Sequence, residues 1–267
     1  MPTATDARDR TIGLDRPPRR VVSLVPSQTE LLAYLGLDET VVGITRFCEH
    51  PGHWRAEKTI VGGMKEVDVD RVADLAPDLI LANHEENTRA DVEALEDVAP
   101  VFVTEVKTVT EALDMIRTVG TLTATADQTS TLAGQIIARF SRLPDFAPLR
   151  AAYLIWREPY MTVGADTFIH DVLNWGGFEN VYADQTRYPE VSVSALAEQD
   201  LDVVLCATEP FPFHQKEAFT DALRDALPNT PVEIVDGQPF SWYGPRLLDT
   251  PAYLTELRES LPTPRAA

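Results

Sequence analysis

The sequence predicts an α/β protein made of two similar Rossmann-like lobes joined by a long connecting helix. Short apolar strands alternate with helices on both sides of the stretch Ala126–Leu143. That stretch carries apolar residues at helical spacing, so we expect it to be the connecting helix. The segment Asp70–Glu85, a helix, a strand and a strand-end loop, is matched in pattern by Ser194–Glu209. The repeat indicates one lobe on each side of the helix, and the alternative is a single large α/β domain with a coincidental match.

The first lobe is predicted to span residues 20–125, after a flexible arm of residues 1–19. Helices are expected to begin at Ser27, where S-x-x-E has the form of a capping box, and after the N-caps Asp68 and Thr88. Apolar runs bounded by turn residues predict the strands of this lobe. They are Val21–Val25, Val41–Thr45, Thr59–Gly62, Leu79–Asn83 and Val101–Glu105.

The second lobe is predicted to span residues 144–267, after a connecting helix at residues 126–143. Its segment Asp236–Arg246 has the glycines, prolines and aromatic residues of a loop. Alternation of strands and helices predicts parallel sheets with helices on both faces. The predicted strands of this lobe are Ala151–Ile155, Val181–Ala183, Val203–Ala207 and Val232–Val235.

Charge and cysteine content restrict the classes of partner. The chain has 42 acidic and 23 basic residues and a net charge of −19, which argues against nucleic acid and anionic membranes. No stretch approaches the roughly 20 apolar residues of a membrane span, so we expect no membrane insertion. The two cysteines do not indicate a disulfide framework. Since the sequence as written shows no signal peptide, it predicts a cytoplasmic protein; a periplasmic or cell-surface location requires a missing signal.

The predicted strand-end loops hold the candidate ligand-binding residues, because ligands of parallel sheets bind outside the carboxyl ends of the strands. With two lobes, those ends are expected to face each other across a cleft. Large aromatic side chains in such loops suit a flat or ring-bearing ligand, and the alternative is that they pack each loop onto its own lobe. Trp242 is predicted to be a main ligand contact. The candidates are Ser27, Phe47, His50, His84, Glu85, Trp156, Arg157, Tyr160, Glu209, Trp242, Tyr243 and Arg246.

The sequence assigns no catalytic residue and no cofactor of the protein's own. It lacks the motifs G-x-G-x-x-G, G-x-S-x-G and H-E-x-x-H and the phosphate-binding P-loop. Histidine and glutamate are suitable metal ligands, but His50, His84, Glu85 and Glu209 fit no compact metal-binding spacing. The sequence therefore shows no evident nucleophile with a base beside it.

The stretches VVSLVPSQTELLAYLG and DRVADLAPDLILAN, the connecting helix and the terminal WYGPR segment together resemble one family. It is the helical-backbone metal receptor family of ABC-importer substrate-binding proteins, which have a class III periplasmic-binding-protein-like fold. The resemblance implies a cleft for a corrinoid, a ferric siderophore or haem, so that the ligand carries cobalt or iron. Phe47 and Trp242 match cleft aromatics of the family, whereas Asn83 stands where its vitamin B12 binder has tryptophan.

The resemblance also implies a permease partner and a monomeric protein. Family members dock to the permease through one carboxylate on each lobe; Asp70 stands at the first of these positions and Ser194 at the second. Two alternatives remain open at this point. One is a cytoplasmic chelatase-like enzyme on the same architecture, and the other is a ligand-free interaction protein.

Overall fold

The computed structural model describes residues 1–261, apart from the side chain of Glu217, and contains a parallel sheet in each of two units. Unit 1 consists of residues 1–106, 110–136 and 243–245. Unit 2 consists of residues 107–109, 137–242 and the described residues from 246 onward. The predicted α/β class is confirmed. No helix within residues 1–261 is long and apolar enough to cross a membrane.

The N-terminal segment contains a hairpin, so the prediction of a flexible arm over residues 1–19 is wrong for its first part. Strand β1 (Thr3–Thr5) pairs antiparallel with β2 (Thr11–Gly13). In the turn, the buried Asp6 carboxylate accepts the backbone N–H of Arg10 at 2.9 Å. The guanidinium of Arg10 also forms an ion pair with Glu96. Glu96 is far from this segment in the chain, so the local sequence pattern does not reveal the contact.

Unit 1 contains a five-stranded parallel sheet with the order β5-β4-β3-β6-β7. The turn of the hairpin lies along the β7 edge, where the Ala7 N–H donates to the Val103 carbonyl at 2.8 Å. This contact shields an edge that would otherwise expose unpaired backbone groups. The strands are β3 (Val21–Ser23), β4 (Val41–Ile44), β5 (Thr59–Ile60), β6 (Leu79–Asn83) and β7 (Val101–Thr104).

The helices of this half of the chain confirm two of the three predicted N-termini. The side chains of Asp68 and Thr88 accept backbone N–H groups, as predicted for N-caps. The predicted capping box at Ser27 is wrong, because the first helix begins one residue earlier at Pro26, whose fixed φ suits a first turn. The helices are α1 (Pro26–Tyr34), α2 (Trp54–Glu57), α3 (Val69–Asp74), α4 (Arg89–Glu96), α5 (Val109–Thr123) and α6 (Ala126–Phe140).

The helix α6 begins where the connecting helix was predicted and ends at Phe140, three residues before the predicted Leu143. The boundary between the units falls within it, after Ile136. Its first turns pack closely on α5: a Cβ atom added to Gly120 would lie 1.9 Å from Thr129 Oγ1. Only glycine leaves room for this approach of the two helices.

Unit 2 contains a four-stranded parallel sheet with the order β10-β8-β12-β13. Strands β9 and β11 form a separate antiparallel pair. The strand predicted at Val181–Ala183 lies three residues earlier. The strands are β8 (Leu149–Leu154), β9 (Tyr160–Met161), β10 (Phe178–Asn180), β11 (Glu190–Val191), β12 (Val203–Ala207) and β13 (Val232–Val235).

The segment predicted as the loop Asp236–Arg246 contains a short helix. It begins after Gly237, and Pro239 stands in its first turn, a position that favours proline. Single-turn 3-10 helices lie at Phe213–Gln215 and Pro245–Leu248. The α-helices of unit 2 are α7 (Phe168–Trp175), α8 (Val193–Glu198), α9 (Glu217–Ala226), α10 (Gln238–Ser241) and α11 (Thr250–Ser260).

The sequence repeat corresponds to structurally equivalent elements in the two units. The strand orders β4-β3-β6-β7 and β10-β8-β12-β13 have the same topology, with β6 equivalent to β12. Each of these strands follows an equivalent helix, α3 or α8. Glu85 and Glu209 each come two residues after the carboxyl end of their strand, so their predicted equivalence is confirmed.

The close packing of α5 on α6 generates a stability prediction. Gly120→Ala should lower the free energy of unfolding by about 1–3 kcal/mol, because the added methyl group overlaps Thr129. The matched control is Gly134→Ala in α6, where no atom lies within 4 Å of the added Cβ. The control should raise stability by about 0.5–1 kcal/mol, the cost of glycine in a helix. Urea unfolding measures both, and equal effects of the two substitutions would contradict the packing.

Candidate ligand-binding site

The loop after β4 presents an exposed aromatic ring. Phe47 is 47% exposed, and the Arg46 guanidinium lies 5.4 Å from its ring centroid. The next residue, Cys48, anchors the loop, since its Sγ lies 3.1 Å from Thr29 Oγ1 and 3.2 Å from Thr45 Oγ1. Burial raises the pKa of the Cys48 thiol, which keeps it neutral. The loop thus holds Phe47 at the carboxyl edge of the sheet on a buried, uncharged anchor.

The other unit 1 candidates have different surroundings. Ser27 is buried in the first turn of α1. His50 is half-buried and precedes a cis peptide bond to proline. His84 is exposed, with Nδ1 3.7 Å from Glu105 Oε1, and Glu85 is half-buried. Within residues 1–261, no three His, Cys, Asp or Glu side chains come together as a metal site.

Tyr243 is an anchor of its segment rather than an exposed contact. Residues 243–245 belong to unit 1, although both flanking residues belong to unit 2. The buried Tyr243 hydroxyl donates to Glu86 Oε1 at 2.5 Å. Burial, with the nearby Glu86 charge, raises the pKa of Tyr243 well above its usual value, so the phenol remains a donor. The sequence did not indicate Glu86 as a functional residue, because no local pattern shows that it contacts Tyr243, which is distant in the chain.

In unit 2, Glu209 holds the loop that carries Trp242. The Glu209 carboxylate accepts the Trp242 indole N–H at 2.7 Å and the Ser241 hydroxyl at 2.9 Å. Burial raises the pKa of Glu209, and the hydrogen bonds from Trp242, Ser241 and Gln238 oppose that shift. The Arg246 guanidinium lies 5.1 Å from the Trp242 ring centroid.

Trp242 does not have the exposure expected of a main ligand contact. Only 7% of it is exposed. The role of Trp242 as a main ligand contact stays a prediction, and the alternative that it packs its own loop stays open.

An aromatic cluster lies at the carboxyl edge of the unit 2 sheet. Trp156 is 41% exposed and packs edge-on against Phe211, with centroids 5.8 Å apart. Tyr160 is buried instead: it stacks on Phe213 and donates its hydroxyl to the Phe219 carbonyl at 3.1 Å. Of the two predicted aromatic contacts in this loop, only Trp156 retains a free ring surface. We call Trp156, Tyr160, Phe211, Phe213 and Phe219 the aromatic cluster.

The predicted docking positions are structurally equivalent. Asp70 is the second residue of α3, and Ser194 is the second residue of α8. Both are exposed. The Ser194 hydroxyl lies 2.8 Å from the hydroxyl of the N-cap Ser192. The carboxylate is therefore present on one unit and absent at the same place on the other.

Two parallel-sheet units with one topology, each bearing an exposed aromatic ring after a strand, are typical of an α/β binding protein. The chain belongs to the periplasmic binding protein family, whose model matches residues 21–232. This confirms the family resemblance seen in the sequence.

Similar proteins agree with this assignment. The chain is 26% identical over 278 residues to an ABC transporter substrate-binding lipoprotein of Bacillus subtilis, covering 97% of this chain and 85% of that protein. It is 29% identical over 213 residues to a cobalamin-binding protein of Halobacterium salinarum, covering 76% of this chain and 58% of that protein. The fold matches a periplasmic heme-binding protein of Pseudomonas aeruginosa with a TM-score of 0.79 and 22% identity, covering 92% and 95% of the two chains.

The names of these proteins bear on the predicted location. One is a lipoprotein, and the matching family model is that of periplasmic binding proteins. The expectation of a cytoplasmic protein is therefore not supported. It depended on the sequence as written, in which no signal peptide was recognised.

The raised pKa of Glu209 predicts a pH-dependent stability. Because the folded-state pKa is raised, the group's contribution is fully present below its pKa in the unfolded chain, about 4.3, and is lost as pH rises through the folded-state pKa. Relative to Glu209→Gln, the wild type should therefore lose about 1.4 kcal/mol for each unit by which the pKa is raised. Urea unfolding of both proteins between pH 4 and pH 8 measures this difference. If the stability of the wild type relative to Glu209→Gln instead increases with pH, the hydrogen bonds from Trp242 and Ser241 outweigh the effect of burial on the pKa of Glu209.

Proposed function

We propose that this protein is the substrate-binding component of an ABC-type importer and binds a metal-containing or ring-shaped small molecule. The class of ligand is a corrinoid, a ferric siderophore or a haem-like compound. The observation that carries the proposal is the pair of exposed aromatic side chains, Phe47 and Trp156, each following the carboxyl end of a parallel strand. No enzymatic step is part of the proposal, since the matched relatives are named as binding proteins.

The exposure of these two rings supports a ligand contact. Single exposed hydrophobic residues are common on protein surfaces, so exposure alone does not indicate a binding site and the position of the residue in the fold must be considered. Phe47 and Trp156 stand in loops where ligands of parallel sheets bind. Buried Cys48 holds the loop of Phe47, and the other rings of the aromatic cluster hold the loop of Trp156. A ring held in place before the ligand arrives lowers the ordering cost of binding.

The metal, on this proposal, belongs to the ligand and not to the protein. Cobalt or iron would arrive already chelated, and the protein would contribute apolar and hydrogen-bonding surface rather than metal ligands. His50, His84, Glu85 and Glu209 would then act on the periphery of the ligand or on their own loops. We propose no cofactor of the protein's own, and we expect the binding component to be a monomer.

The permease partner would be engaged unequally by the two units. Asp70 offers an exposed carboxylate on unit 1, and the equivalent Ser194 on unit 2 offers a hydroxyl. We propose that an ABC permease docks through Asp70, with a neutral contact at Ser194.

Truncation of the exposed rings tests the proposed function. Phe47→Ala and Trp156→Ala should each weaken binding by about 2 kcal/mol, roughly thirtyfold, because each removes a central aromatic contact. Calorimetric titration with cyanocobalamin, haem and a ferric siderophore measures the effect on whichever compound binds.

The matched control is Tyr34→Ala. Tyr34 is 49% exposed, much like Phe47, but it ends α1, and the return path of that helix places it at the amino edge of the sheet. The control should bind as tightly as the wild type. If no compound binds to the wild type, the proposed function fails; if a compound binds and both ring variants retain full affinity, Phe47 and Trp156 are not the contacts.

A further inference from the structure

Arg157 is held in an unusual position beside the exposed ring of Trp156. Its guanidinium carbon lies 4.4 Å from the Tyr160 ring centroid and 4.8 Å from the Phe219 ring centroid. The side chain nevertheless remains 25% exposed. Arg157 is thus fixed by stacking while part of it reaches solvent.

Stacking determines how this arginine can bind. The faces of a guanidinium stack on aromatic rings, whereas its N–H groups lie in its plane and form a fork that matches carboxylate and phosphate. The rings of Tyr160 and Phe219 lie close to the guanidinium of Arg157, so its capacity to bind an acid lies in its N–H groups. A pre-oriented edge loses little conformational freedom when it binds an acid.

A second arginine of unit 2 shows what a purely structural role looks like. Arg258 also stacks on two rings, those of Phe146 and Phe178, each at 5.1 Å. Its guanidinium donates to the carbonyls of Gly176 at 3.1 Å, Gly177 at 2.6 Å and Ala147 at 2.6 Å. Those bonds use the edge of the group to join three backbone segments.

The edge of Arg157 has no such bonds. Among the described residues, Arg157 donates to no backbone carbonyl, and its one ion pair is with Glu158 at 3.8 Å. Glu158 is itself 71% exposed at its side chain. A loose, solvated pair of this kind contributes little and is readily replaced by a better acid.

Arg157 and Trp156 belong to one surface. Trp156 packs on Phe211, Phe211 packs on Phe219 at 5.7 Å, and Arg157 lies over Phe219. The aromatic cluster therefore supports a flat apolar group and an oriented cation together. The chain carries a net charge of −19, so an acidic ligand needs a local cation of this kind to offset repulsion.

We propose that Arg157 binds a carboxylate or phosphate substituent of a ring-bearing or chelating ligand that rests on Trp156. The substrate class is then an anionic metal complex rather than a neutral one. This inference rests on the proposed function and narrows it. It makes Arg157 a residue that determines specificity.

The test compares acidic and uncharged members of each ligand class. The probes are iron protoporphyrin IX with its dimethyl ester, a monocarboxylate of cyanocobalamin with cyanocobalamin itself, and an anionic ferric tris-catecholate with a neutral ferric tris-hydroxamate. In the class that binds, the wild type should prefer the acidic member by roughly ten- to hundredfold, the range of a charge-assisted hydrogen bond.

Three variants assign the preference to Arg157. Arg157→Gln should abolish it, and Arg157→Lys should retain part of it, since an ammonium keeps the charge but loses the fork. Arg258→Gln, the matched control, should lower stability and leave the ratio of affinities unchanged. Because the measured quantity is a ratio within one protein, partial loss of folded material does not alter it.

The outcomes separate this inference from the proposed function. Equal binding of both members by the wild type, or a preference that survives in Arg157→Gln, would overturn the role of Arg157 while the binding function stands. Binding of only neutral members would do the same. If no member of any class binds, the proposed function fails and this inference fails with it.

Discussion

The parallel pairing of strands is the constraint on which the rest of this structure depends. Strands that run in one direction end at one edge, so the loops that follow β4, β6, β8 and β12 must emerge at the carboxyl edge of their own sheet. The same order in both units explains how a short sequence repeat places Glu85 and Glu209 in equivalent positions. Candidate ligand-binding residues that are distant in sequence are therefore brought to the carboxyl edge of one sheet by the backbone pairing of its strands.

The strand-end loops divide their residues between anchoring and presentation. Buried groups hold each loop: Cys48 in unit 1, and Tyr160 of the aromatic cluster in unit 2. Exposed groups are then free to contact a ligand, and the aromatic examples are Phe47 and Trp156. A rigid base with an exposed ring is the arrangement that binding a flat ligand favours.

Much of the fold could be predicted because its signals are local or repeated. Apolar strands, the N-caps Asp68 and Thr88 and the repeat all lie within short windows of sequence. The ion pair of the N-terminal hairpin and the hydrogen bond of Trp242 could not be predicted, since each joins a partner remote in the chain, Glu96 and Glu209 respectively. The sequence shows which aromatic residues follow the predicted strands. Only the packing of the folded protein shows which of these rings are exposed and which are buried.

The central claim is that the chain binds a metal-containing ligand through exposed aromatic rings that follow the ends of strands. Native mass spectrometry of the chain, incubated with an equimolar mixture of a corrinoid, haem and a ferric siderophore, tests it most directly. The account predicts a single added mass that corresponds to one of these compounds, with one metal ion for each chain, and its loss in the Phe47→Ala, Trp156→Ala double variant. An unliganded chain, or an adduct that persists in a folded double variant, would contradict the account.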